Sequence, residues 1–389
     1  MKMKENNSLY QVAKQAFREY YFSKEKLVEE PSEIQQREFG YSQFERPGMV
    51  RHLSFRSIKE LDAFLVREVP SDIYCSNAYY RFPTLPMHEK QWQGADLIFD
   101  IDGKDLNLPC VRSHSHLKCL NCNQISLPDL NLEKEYCCSL CNTKKAETIL
   151  IPCSKCIEAS KKEVKRLSEF LTQDFGLKKD DIDIYFSGNN GFHVHVASSE
   201  YIPLDSQARS DIVGYISGTG LLLQSIGVGK DKLQNLTFKL PRGGISFGWR
   251  HRIANKLKID RSSSSSVRLK HIVELKGGYA SLKGEIENLS KEMGVRIDPQ
   301  VTTDIHRIFR MPGSLNSKSS LAKVKCHNLD TFDPFTDACV LGSSKISINI
   351  TTHVKLKLKG KSFNISKESA ELPAYAAIYL ISKGLAEIK

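Results

Sequence analysis

No part of this 389-residue sequence stays apolar for long: the longest uninterrupted run, Ala374 to Ile381, has eight residues. A membrane-spanning helix needs roughly 18 or more, so a membrane protein of helical type is not expected. The first residues, Met1-Lys-Met-Lys-Glu5, carry charge with no apolar stretch behind them, which argues against a secretory leader and gives a cytoplasmic expectation. Negative charge is in deficit, with 45 Asp and Glu against 56 Lys and Arg, a formal net charge of +11. Such a balance favours polyanionic partners, because phosphates that bind basic side chains release counterions. No internal repeat is present. Outside residues 110–156 only Cys75, Cys326 and Cys339 occur, and these read as buried small apolar residues. Disorder is excluded as well, since 40% of the residues are hydrophobic and 26% charged.

What the chain does have is a concentration of cysteine: eight of its eleven lie between Cys110 and Cys156. Without an export signal, such clustering points to metal rather than disulfides. Cys119-x₂-Cys122-x₁₅-Cys138-x₂-Cys141 has the spacing of a zinc ribbon, two knuckles closing a tetrahedral thiolate site. Cys137 offers an alternative ligand through an x₃ spacing. Cys110, Cys153, Cys156 and either His114 or His116 remain as further potential ligands outside the ribbon.

Apolar periodicity sorts the rest into helices and strands. Residues 8–22 and 58–65 repeat at helical spacing, as do Val164, Leu167, Phe170 and Leu171 before a stop at Gly176. A last helix is expected from Pro373 to Gly384. Asp96-Leu-Ile-Phe-Asp-Ile-Asp102 reads as a core strand, as do Ile182–Phe186, His193–Val196, Ile346–Ile350 and Val354–Leu358. The five-serine run Ser262–Ser266 reads as a mobile loop. The result is a mixed α/β (α+β) core that accepts a cysteine-rich insertion and a helical one.

On a strand, Asp100 and Asp102 project to one face with Ile101 behind them. Two like charges so placed repel unless a divalent cation sits between them, and Mg²⁺ or Mn²⁺ suits oxygen ligands that also hold phosphates. This is the floor of a two-metal site for in-line displacement at phosphorus. Ser187-Gly-Asn-Asn-Gly-Phe-His193 joins two strands by a turn able to aim backbone N–H groups at phosphate, and it then delivers a histidine onto a strand. Arg307, Arg310 and Pro312-Gly-Ser-Leu-Asn316 form a third polar cluster, preceded by Asp298.

These pieces resemble the catalytic small subunit of archaeo-eukaryotic DNA primase, of archaeal type. Arg37-Glu-Phe-Gly-Tyr41, Met49-Val-Arg-His-Leu-Ser-Phe55, Gly94–Asp102, Cys153-Ser-Lys-Cys156, Phe186–His193 and Arg307–Leu315 occur in the family's order. The resemblance implies a primase catalytic core over residues 1–109, 157–210 and 276–389, a zinc-binding module over 110–156 and a helical insertion over 211–275. It implies Asp100, Asp102 and Asp298 as ligands of two Mg²⁺ or Mn²⁺ ions. Ser187, His193, Arg51, Arg307 and Arg310 would then meet the incoming nucleotide. It also implies a family zinc site from Cys110, Cys153, Cys156 and a histidine, taken as His116 with His114 equally placed; the ribbon is inserted within it, giving one or two structural zinc ions. Two departures stand out: the family commonly has Arg at the position of Asn190 and His at that of Asn316.

The implied activity is DNA-dependent RNA synthesis of short primers on single-stranded DNA from nucleoside triphosphates, for replication. A large regulatory subunit is the implied partner, and it would bring the iron–sulfur domain that this chain lacks. From Arg242 to Lys276 there are nine Lys or Arg and only two acidic residues, with Phe247 and Trp249 interleaved. Arg250, Arg252, Lys256 and Lys258 are therefore candidate contacts to the template or primer backbone. Two rivals are a primase-like repair or mobile-element polymerase, which typically lacks a zinc module, and a non-catalytic zinc-ribbon protein that binds nucleic acid. The latter has no use for the three aspartates.

Overall fold

Leu97–Asp102 forms a strand in which Leu97, Ile98, Phe99 and Ile101 are buried while Asp100 and Asp102 are half-exposed, as the change from an apolar run to alternation predicts. The computed structural model describes residues 2–128, 136–222, 228–230, 236–238, 247–257, 279–366 and 368–389. Ser262–Ser266 and Lys258 lie outside these residues. Helices and strands mix throughout, and the chain divides into two compact units. One comprises residues 1–161, 183–203 and 304–389, the other 162–182 and 204–303.

Two four-stranded sheets organise the first unit. One runs in the order Ile308–Arg310, Asp72–Ser76, Phe39–Ser42, Met49–Leu53, and the other Val324–Lys325, Ile182–Phe186, Gly191–Val196, Leu97–Asp102. Leu97–Asp102 and Gly191–Val196 pair antiparallel without a bulge, from Gly191 opposite Asp102 to Val196 opposite Leu97. Directly opposed residues share a face, so His193 stands beside Asp100 and His195 beside Ile98. Phe309 brings the first sheet to that face, its ring 5.6 Å from His193 and 6.3 Å from His195.

The Arg37-Glu38 pair braces this arrangement. Arg37, 2% exposed, donates to the carbonyls of Ser32, Ser76 and Asn77 and pairs with Asp96 at 2.8 Å. Glu38, fully buried, accepts from Arg51 at 2.9 and 3.2 Å and also faces His52 and Lys90. Buried charges survive only when paired and hydrogen-bonded, and here each has several partners.

Local signals account for the helices. Helix Lys2–Phe22 is anchored through Tyr20, whose hydroxyl donates to Gly313 O at 2.6 Å, and Tyr21, whose hydroxyl accepts from Leu315 N–H at 3.3 Å. Ile58–Glu68 starts where the Ser57 side chain accepts the Glu60 N–H. The last helix, Ala374–Ser382, begins just after Pro373 and stops before Gly384. Strands Lys345–Ile350 and Val354–Leu358 form as expected. The helix carrying Val164 differs, because it begins ten residues earlier, at Ser154, directly after Cys153. Polar residues fill its first turns, so apolar periodicity misses them. In the cysteine-rich stretch, Ser115–Cys119, Ile125–Ser126 and Ala146–Leu150 pair as a small antiparallel sheet.

Helices Ser206–Ser217, Gly248–Lys256, Tyr279–Met293 and Pro299–Thr303 dominate the second unit, with a short hairpin pairing Val228–Lys230 and Leu236–Phe238. Phe170, Tyr215 and Trp249 pack ring to ring there, and the Trp249 indole donates to Tyr215 O at 2.7 Å.

The pairing of the two central strands rests on Gly191. A Cβ there would lie 2.2 Å from the carbonyl oxygen of Ile101 and 2.9 Å from the Cα of Asp102, which are backbone atoms and cannot rotate away. Gly191→Ala is therefore expected to lower stability by about 1–3 kcal/mol, the usual toll of overpacking, measured as a lower urea midpoint with an unchanged slope.

Candidate active site and metal centres

Asp100 and Asp102 lie about 7 Å apart along one face, the span of two strand residues. Their side chains are 23% and 25% exposed, so solvent and an incoming ligand reach both. Asp102 accepts the Lys104 N–H at 3.0 Å and pairs with the Lys104 ammonium at 3.1 Å. That lysine is 67% exposed, and a surface pair of this kind is readily displaced. His193 Nε2 stands 3.6 Å from Asp100 Oδ1, and its Nδ1 is buried without a hydrogen-bond partner. Burial first, then the positive charges of Lys323, Arg310 and Arg307, push its pKa well below the ordinary histidine value. The ring is neutral at physiological pH. Two half-exposed carboxylates beside a neutral imidazole suit hard divalent cations.

The 187–191 turn packs on a second turn at 316–321. Gly188 has φ +87°, and a Cβ there would meet Asn316 Cβ and Leu321 O at 3.2 Å. The Ser319 hydroxyl donates to Gly188 O. Ser187 closes the turn twice, its N–H reaching Gly191 O at 2.9 Å and its hydroxyl accepting the Gly191 N–H at 3.3 Å. Asn190 Oδ1 is buried without a partner.

Two of the three basic residues expected to line the site are held by carboxylates. Arg310 pairs with Asp72 at 2.7 Å, donates to Leu315 O at 2.7 Å and lies 5.3 Å over the Tyr74 ring. Arg51 is committed to the buried Glu38. Arg307 is half-buried and near enough to His193 to act on its charge. Beyond His195 the same face opens into a cavity of about 500 Å³ lined by Ile98, Tyr185, Arg310 and Lys323, among others. Lys323, fully buried, contacts His195 Nε2 at 3.2 Å, and burial is the main cause that brings its pKa to about 7.

Asp298 belongs to the second unit, where its Oδ1 accepts the Gln300 N–H at 2.9 Å at the start of the Pro299–Thr303 helix. In that unit too, Arg252 is engaged by Asp174 and lies 4.0 Å over the Phe170 ring, an internal role. Lys256 is exposed and pairs with Glu292 at 3.1 Å; Arg250 is half-buried.

The cysteines gather into two groups whose ligand atoms all lie within 4.8 Å of one another: Cys119, Cys122, Cys138 and Cys141, and Cys110, His114, Cys153 and Cys156. The expected His116 is replaced by His114. His114 Nε2 is 3.4 Å from Cys156 Sγ, whereas His116 points into the protein with its Nε2 3.0 Å from His353 O. The physical reason is the strand that starts at Ser115, which pairs His116 with Ile149 and turns its ring away. Cys137 also stays outside, exposed and facing Asn142 O.

Both ribbon knuckles have one form. Asn123 and Asn142, each directly after a knuckle's second cysteine, adopt left-handed φ of 61° and 55°. Their N–H groups donate to Cys119 O and Cys138 O. The repeated Cys-x₂-Cys-Asn is a signal that spacing alone overlooks. Backbone N–H groups of Leu140 and Cys141 lower the Cys138 thiol to about 6, favouring the thiolate that a metal requires.

Comparison with known proteins agrees with this architecture. A family model described as DNA primase small subunit matches residues 143–325, a span holding the 187–191 turn, His193 and Arg310. The chain is 44% identical over 375 residues to the DNA primase small subunit of Nitrosopumilus maritimus, covering 96% of this chain and 97% of that one. It is 39% identical over 373 residues to that of Cenarchaeum symbiosum, covering 96% of each. To that of Archaeoglobus fulgidus it is 31% identical over 384 residues, covering 95% and 96%. Since these alignments run nearly end to end, across the carboxylate strand and the cysteine groups alike, the chain belongs to the DNA primase small-subunit family.

Proposed function

We propose that this chain is the catalytic subunit of a DNA primase, a nucleotidyltransferase that copies single-stranded DNA into short RNA primers for replication. The observation that carries the reading is Asp100 and Asp102 on one strand face with the neutral His193 and the 187–191 turn beside them. Asp100 and Asp102 would hold the Mg²⁺ or Mn²⁺ ions, with Asp298 added as a ligand on the family resemblance alone; when bound, such ions supply activation of the primer 3′-hydroxyl and charge neutralisation on the departing pyrophosphate.

The chain's own residues position the reactants, the main protein contribution to such transfer. The turn directs Ser187 and backbone N–H groups at the triphosphate. His193, uncharged, contributes an oriented hydrogen bond without repelling the metal ions. Arg310 and Arg51, each aligned by a carboxylate, act as fixed donors, and Arg307 adds charge. By family analogy a large subunit is the partner in initiation, and the site of action is the cytoplasm.

Purified chain, alone and with its large subunit, should yield labelled primers on unprimed circular single-stranded DNA. Asp100→Ala should cut synthesis at least about a hundredfold while template affinity stays within about twofold. A complex that binds the template but makes no product would remove the catalytic reading.

We assign both four-residue groups to structural zinc. Their closest sulfur–sulfur separations, 3.5–3.9 Å, bracket the roughly 3.8 Å between thiolates on a tetrahedral zinc and far exceed a disulfide bond. Metal analysis should find two zinc ions per chain. His114→Ala should lose one and His116→Ala none; equal loss from both variants would reverse the histidine assignment.

Arg250, Lys256 and Lys258 are proposed contacts to the nucleic-acid backbone. Template affinity should fall steeply with salt, and neutralising Arg250 and Lys256 should flatten the log–log slope by about 1.4 for single strands. An unchanged slope would exclude both.

A further inference from the structure

The 187–191 turn carries two asparagines and no cation, yet a cation from the far end of the chain is built onto it. Lys383 follows the last helix, 196 residues after Ser187, and its ammonium donates to Asn189 Oδ1 at 2.8 Å. Only 9% of Lys383 is exposed. Its ammonium lies 5.6 Å over the ring of the buried Tyr379, and its backbone N–H donates to Tyr379 O at 3.0 Å.

Among the described residues no carboxylate comes within ion-pair distance of this ammonium. Asp102 acts on it only at longer range, and Lys318, on the neighbouring 316–321 turn, opposes it with a like charge. Burying an ammonium with one neutral acceptor is costly, and bringing a second ammonium toward it adds to the cost. Among the described residues, the single hydrogen bond to Asn189 leaves two of its three donors without a protein acceptor. Two cations beside a glycine turn, with a carboxylate only at longer range, describe half of an anion site.

Resting on the reading of the turn as the triphosphate site, we propose that Lys383 is a phosphate-binding residue. It supplies from the C-terminal helix the positive charge that the turn itself lacks. The ligand class is the polyphosphate of a nucleoside triphosphate. Burial, the largest cause, lowers the Lys383 pKa to about 7, and an anion bound beside it would draw the pKa back up and hold the proton.

The test measures the KM for nucleoside triphosphate in primer extension, together with calorimetric binding of inorganic tripolyphosphate. Lys383→Met keeps the stem against Tyr379 and removes the charge. It should raise KM and weaken tripolyphosphate binding about ten- to a hundredfold, the worth of a charge-assisted hydrogen bond, with kcat and template affinity within about threefold. Lys383→Arg should restore most of the loss. Unchanged KM and tripolyphosphate affinity in Lys383→Met would overturn the proposal. So would equal defects in the Met and Arg variants accompanied by a lowered melting temperature, the mark of a packing role. Ser187→Ala reports on the turn separately. If it weakens tripolyphosphate binding while Lys383→Met does not, the lysine proposal alone falls; if neither does, the reading of the turn falls with it.

Discussion

The site depends on how closely Gly191–Val196 approaches Leu97–Asp102. Six opposed residue pairs without a bulge fix which side chains share a face, and one residue of slippage would put Phe192 beside Asp100 and send His193 into the core. Gly191 permits the approach at the end where Asp102 leaves the sheet, and the same residue closes the 187–191 turn through its contacts with Ser187. One backbone constraint therefore sets the spacing of carboxylate, imidazole and turn together. A more open pairing would keep every residue yet lose their geometry.

The cations around the central strands of the first unit fall into two kinds. Arg37, Arg51 and Arg310 are held by Asp96, Glu38 and Asp72. Among the described residues, Lys323 and Lys383 have no such partner at contact distance, and burial lowers the pKa of both. The sign of this effect matters: a lysine whose folded pKa is depressed costs stability progressively as pH falls below its unfolded value, because the unfolded chain then binds the extra proton more strongly. Such positions are retained against that cost where a charge is wanted beside a ligand. The paired arginines, by contrast, orient without adding much net field.

Much of this was legible in the sequence. Alternation identified the carboxylate and histidine strands, Cys-x₂-Cys repeats identified the ribbon, and ordered motifs identified the family. Parity along a strand sufficed for Asp100 and Asp102 because both neighbours are apolar. Parity failed for His114 and His116, which lie at a junction: Pro109–His114 is a 3₁₀ stretch and the strand begins only at Ser115. Two histidines two residues apart then point to different places, one at Cys156 and the other at His353 O. Nor did local text reveal Lys383 or Lys323, since neither lies in a motif and both reach the site through tertiary packing. The Arg37-Glu38 motif was visible, but its role was not: Arg37 braces buried backbone carbonyls and Glu38 holds Arg51.

The group of Cys110, His114, Cys153 and Cys156 ties these parts together. Cys110 leaves the 3₁₀ stretch that follows the carboxylate strand, while Cys153 and Cys156 flank the start of the Ser154–Gln173 helix. Seven residues separate Asp102 from Cys110, so a metal held there limits how far the strand's exit can wander. On the same helix Ser160 donates to Cys156 O and sits 3.3 Å from where a Cβ of Gly103 would be, next to Asp102. The carboxylate is thus fixed on one side by the ladder to Gly191 and on the other by a helix whose first turn the metal group anchors. Under the proposed function, a zinc ion held by these four side chains would do no chemistry itself; it would narrow the range of positions open to Asp102, and in two-metal transfer position is what a carboxylate contributes.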